Sequence, residues 1–113
     1  MAVVMVRETV SRKLTDVVRR EVDLYAGDAY KEQLVAIFDE VRHLYCVIAI
    51  AEERRDHPPQ VVIMAQVVED KIVIIEDITD KPLYEALMIN AKIPREQIIL
   101  EYAGEKLPQA KAD

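Results

Sequence analysis

Tryptophan is missing from this chain of 113 residues and phenylalanine occurs once, at Phe38, so a core has to be assembled mainly from Val, Ile and Leu. Glycine is nearly as scarce. The only two, Gly27 and Gly104, do not stand in the strand, Gly-rich turn and helix arrangement that cradles phosphates. A single cysteine, Cys46, excludes an intramolecular disulfide and fits a reducing compartment. Long hydrophobic runs are absent as well: the longest, "LYCVIAIA", is far short of the ~20 residues that cross a bilayer. The start, "MAVVMVRETV", meets Arg7 and Glu8 too early for the apolar segment of a signal peptide. The expectation is a cytoplasmic protein with no membrane span.

What is present is acid. Twenty-one Asp and Glu against fifteen Lys and Arg give a formal charge of -6, with basic residues scattered apart from short pairs such as Arg19-Arg20 and Arg54-Arg55. Binding to a phosphate backbone draws on a basic face that releases counterions, so direct nucleic-acid binding is not expected. A hydrophobic share of 51% beside 32% charged residues is that of a folded chain, and the length suits one domain over 1–113.

Apolar residues at Val3, Val6, Val10, Leu14, Val17, Val18, Val22 and Tyr25 recur at three and four, predicting a long amphipathic helix that ends near Gly27, with Asp28 starting a turn. In "KEQLVAIFDEVRHLYCVIAIA" periodicity supports two readings equally. Leu34, Ile37, Phe38, Val41 and Tyr45 fit a helix, while "LVAIF" and "YCVIAIA" fit two strands joined near "DEV". Beyond the loop "EERRDHPP", "QVVIMAQVVEDKIVIIED" holds two runs rich in Val and Ile that flank the polar step Glu69-Asp70-Lys71 and read as a β-hairpin, in which Asp70 is expected to take any positive φ. "TDKPLYEALMINA" predicts a second helix with Thr79 or Asp80 as N-cap and Pro82 inside its first turn. "KIPREQ" predicts a turn or short helical piece, "IILEY" a final strand, and "AGEKLPQAKAD" a frayed tail. Together these give an α+β fold: a long N-terminal helix, a mostly antiparallel sheet of hairpins, a second helix and a C-terminal strand.

Three acids, Glu76, Asp77 and Asp80, crowd the strand-to-helix junction and raise the alternative of a small metal-dependent hydrolase. Along a regular strand Glu76 and Asp77 point to opposite faces, and an acid at Asp80 suits a helix start, so a structural role is the stronger expectation. His43 and Cys46 form an H-x-x-C pair, but His57 is the only other histidine, too few for a four-ligand zinc site. Cys46 reads as a small buried hydrophobe, with no positioned base to make it a nucleophile. No catalytic, cofactor or metal residue is assigned.

From Phe38 to Tyr102 the order and spacing of "IFDEVRHLY", "VVEDKIVII", Thr79 and "AKIPREQIIL" resemble the XisI family, the fdxN element excision controlling factors. The matching positions are Asp39, Tyr45, Lys71, Thr79, Ile93, Pro94, Ile98 and Leu100, with Asp77 in the same junction; all are expected to be structural. Departures include Val73 in place of a Trp and Ala51-Glu52 in place of Gly-Trp. The resemblance implies strands for residues 32–52. It implies a non-enzymatic accessory protein in DNA element excision, which binds a XisH-like protein partner and needs no cofactor. A homodimer is the expected assembly.

Overall fold

The computed structural model describes residues 14–53 and 55–108. Six strands form one sheet in sequence order: β1 (Gly27–Ala29), β2 (Glu32–Asp39), β3 (Leu44–Ala51), β4 (Gln60–Val68), β5 (Lys71–Asp77) and β6 (Ile98–Leu100). Every neighbouring pair is antiparallel except β5 and β6, which run parallel because helix α2 (Leu83–Asn90) carries the chain back between them. The α+β class expected from the sequence is the observed one. Within residues 32–52 the chain forms two strands joined by a turn, as the family resemblance implied and periodicity alone left open.

The first helix, α1, is described over residues 14–23; its expected beginning at Val3, Val6 and Val10 lies outside the described residues. Leu14, Val17, Val18 and Val22 form its buried stripe and join one cluster with Tyr45, Val47, Ile63, Ala65, Ile72 and Ile74 of the sheet. Leu83 and Leu87 of α2 enter the same cluster, so both helices lie on one face. Fully burying a side chain of this size contributes about 1.5–3 kcal/mol, which makes this layer the main source of cohesion.

Several boundaries differ from the sequence reading. The α1 helix stops at residue 23, and Gly27, at φ 143°, begins β1 rather than capping a helix. Asp28 pairs with Gln33 inside that strand, and the turn falls later, with Lys31 at φ 60°. This three-residue strand was not foreseen, being too short and polar to show a period. In the β4–β5 hairpin it is Glu69, at φ 56°, and not Asp70 that takes the positive φ. The pairing of Val68 with Lys71 fixes a two-residue turn whose first position needs it. The α2 N-cap is Pro82, without a side-chain cap of its own, so neither Thr79 nor Asp80 caps the helix. The expected fraying of the tail does not begin at Gly104: the Glu105 carboxylate accepts the Leu100 N–H at 2.9 Å and Arg95 Nη2 at 2.6 Å.

Two irregularities shape the far end of the sheet. Register steps leave Val62 on β4 and Ile75 on β5 without a direct partner in the β3–β4 and β4–β5 ladders. The unpaired stretch is tied down again where Ile78 N–H donates to the Val62 carbonyl at 3.0 Å. Each extra residue switches which side chains face the helices from there on.

Candidate functional site

The acidic junction is built by that second irregularity. Without it the alternation of Ile72 and Ile74 would carry Glu76 to the helix side; the extra Ile75 puts Asp77 there instead, opposite buried Ile63. Asp77 Oδ2 accepts the Leu83 N–H at 2.7 Å, satisfying a free donor in the first turn of α2 from six residues upstream. Its Oδ1 accepts the Thr79 N–H at 2.9 Å and the Thr79 hydroxyl at 2.6 Å. The same hydroxyl lies 2.9 Å from the Lys81 carbonyl. Glu76 turns to the other face and accepts the Asp77 N–H at 3.0 Å, while Asp80 is exposed. The trio is therefore divided between two faces and solvent. Among the described residues no three of His, Cys, Asp and Glu gather closely enough to hold a cation.

The remaining positions singled out in the sequence fall at turns and in the core. Asp39 Oδ1 accepts the N–H of Val41 and of Arg42, and Oδ2 takes the Arg42 guanidinium at 2.8 Å; these bonds hold its carboxyl below the usual range. Tyr45 is fully buried edge-on to Phe38, its hydroxyl donating to Glu40 at 3.0 Å. Burial first, then the Glu40 bond and charge, push its phenol up to about 12. Lys71 Nζ reaches the Glu96 carbonyl at 3.4 Å. Ile93 packs on the core, Pro94 precedes the 3-10 turn Arg95–Gln97, and Ile98 and Leu100 are buried in β6. His43 sits exposed in the β2–β3 turn at φ 54°, whereas Cys46 is buried within β3, where desolvation raises its thiol pKa.

The sequence reading missed Glu21. It stands three residues after Val18 and four after Val17, on the buried stripe of α1, and is 6% exposed. That spacing was the available signal. One carboxylate oxygen accepts Asn90 Nδ2 at 3.2 Å, and the group lines a cleft of about 440 Å³ between the end of α1 and α2. Leu24, Tyr25, Ala86 and Ile89 supply apolar walls, with Leu24 71% and Ile89 67% exposed. At the cleft the Tyr25 hydroxyl donates to the Lys81 carbonyl at 2.6 Å, and burial followed by the charges of Asp77, Glu21 and Glu85 pushes its phenol up to about 12. The cleft is a negatively biased pocket with a greasy rim.

The opposite face of the sheet is also apolar. Its cross-strand rows are Val35, Ile48 and Val61; Ile37, Cys46, Met64 and Glu76; and Leu44, Gln66, Val73 and Ile99. None of these side chains belongs to the cluster that contains the helices.

Comparison with known proteins yields a family and a fold. The sequence model of the XisI family, described as XisI protein, matches residues 4–111. No curated protein matches the chain. Among solved structures, a XisI-like protein from Anabaena variabilis ATCC 29413 superposes with a TM-score of 0.69 at 22% identity, over 80% of this chain and 84% of that one. The fdxN element excision controlling factor XisI of the same organism gives a TM-score of 0.58 at 22% identity, over 85% of this chain and 92% of its own.

Proposed function

The chain belongs to the XisI family, and from that membership we propose that it is a non-catalytic accessory factor in the excision of a DNA element, acting by binding a protein partner. The family match over residues 4–111 is the observation that carries this reading. A similar structure is that of an fdxN element excision controlling factor, which gives the regulatory sense. The net charge of -6 argues for contact with protein rather than with a phosphate backbone.

The cleft between α1 and α2 supplies a means of recognition. A buried carboxylate with one neutral hydrogen-bond donor is far better satisfied by a cation, and the apolar walls suit the methylene stem of an Arg or Lys side chain. The partner accordingly presents a basic side chain from a surface segment, and a XisH-like protein is the candidate. Co-expression with a XisH-like protein encoded nearby gives one co-eluting complex if the reading holds. Glu21→Gln keeps the shape and removes the charge; loss of one member of a buried ion pair costs about 2 kcal/mol or more, a weakening of at least ~30-fold. Independent elution of the two wild-type proteins would refute the partner reading, and an unaltered affinity in Glu21→Gln would remove the cleft from it.

A further inference from the structure

The described helices lie on one face of the sheet, and no described helix lies on the other. Val35, Ile48 and Val61 in one row, with Ile37, Cys46 and Met64 in the next, make a continuous aliphatic patch across β2, β3 and β4. We infer that this face joins two copies of the chain, sheet against sheet, in a twofold symmetric dimer.

Size is the first argument. The strands β2 to β6 span about 24 Å at ~4.8 Å spacing and the longer ones run about 25 Å, a footprint of roughly 600 Å² before side-chain corrugation is added. A standard interface buries about 800 Å² of accessible surface on each partner, so this face is of the right order for a stable dimer.

Charge supplies the second. The chain as a whole is strongly acidic, yet the charges on this face balance in number: Lys71 and Glu76 stand at the two ends of β5, and Asp39 is already bonded to Arg42. The face is locally neutral. Two acidic copies can meet there without mutual repulsion, whereas a basic partner gains nothing from it. The acidic cleft lies on the helix side, so the two surfaces do not compete.

The test uses the purified full chain alone and is independent of the partner reading. Light scattering on the eluting protein reads about twice the 13.0 kDa chain mass for wild type. Ile37→Glu and Ile48→Arg each shift it to the single-chain mass. Ile37 is 50% exposed in the single chain, so its substitution spares the fold, which circular dichroism checks. Leu24→Asp, on the helix side, stays dimeric. A wild-type chain of single mass at every concentration overturns the inference, as does a dimer that survives both substitutions. A monomeric chain that becomes dimeric only when residues 1–13 are deleted overturns it too, with that segment as the cover.

Discussion

Replacing Asp77 by Ala removes a capping acceptor that lies outside the helix it serves. Three donors lose their partner at once: the Leu83 N–H at 2.7 Å, the Thr79 N–H at 2.9 Å and the Thr79 hydroxyl at 2.6 Å. Loss of an N-cap costs typically ~1 kcal/mol and as much as ~2, while a hydrogen bond to a charged group contributes about 1.5–3 kcal/mol. The hydroxyl keeps the Lys81 carbonyl as a second acceptor, and the loop can admit water, so the three losses do not add in full. A total of about 2–3 kcal/mol follows, a fall in Tm of roughly 8–12 °C at ~4 °C per kcal/mol for a chain of this size. Asp77→Asn retains one oxygen but points an amide hydrogen at one of the N–H donors, so about half the loss remains. Asp80→Ala, at an exposed position, stays within ~0.5 kcal/mol. The assay is thermal unfolding followed by circular dichroism, with every variant at one protein concentration, since self-association shifts apparent stability. An Asp80→Ala loss equal to that of Asp77→Ala would refute the assignment of the cap.

Two further outcomes follow from the geometry. Tyr25 and Tyr45 ionise at about 12 in the folded chain against 10.0 for the free phenol. The folded state therefore binds these protons more tightly than the unfolded one, and the associated stability is complete below pH 10 and lost as pH rises through about 12. Tyrosinate absorbance shows a late step that shrinks in Tyr45→Phe; all tyrosines titrating together at the free value in the folded chain would contradict this. At the β4–β5 turn, Glu69 holds φ 56°, where glycine relieves the strain of a side chain at the expense of a looser unfolded state. Glu69→Gly raises stability by up to ~1 kcal/mol in the same melts, and Asp70→Gly does not match it; the reverse ranking would place the positive φ where the sequence reading had it.

The sequence carried the architecture further than the details that place the acids. Val17, Val18 and Val22 show a helical period that survives in the packed structure, and "QVVIMAQVVEDKIVIIED" reads as the observed hairpin, with Lys71 already in its second strand. Local pattern failed on residues 32–52 because strands apolar on both sides lose the alternation that distinguishes them from a helix. It failed at Asp77 for a different reason. The extra residue Ile75 inverts the facing of everything after it, and a one-residue irregularity leaves no trace in a Val/Ile-rich run. Only pairing with β4 decides whether Glu76 or Asp77 meets α2. Glu21 was legible by spacing, but its significance depends on Asn90 and Ile89 from a helix nearly seventy residues away.

The lack of alternation in "LVAIF" and "LYCVIAIA" bears on assembly as well as on strand prediction. Continuous apolar runs belong to strands covered on both faces, and chains usually supply both covers with crossover helices. Here the connections at 30–31, 40–43 and 69–70 are tight, and those at 24–26 and 52–59 hold no helix. The single crossover in the described chain is the one through α2, between β5 and β6. It lies beside α1 on the same face, because Leu83 and Leu87 share their cluster with Val18 and Val22. Among the described residues the topology thus provides one helical cover for strands whose side chains call for two. In the proposed twofold dimer a second copy, with a face of matching extent and neutrality, would be the other cover.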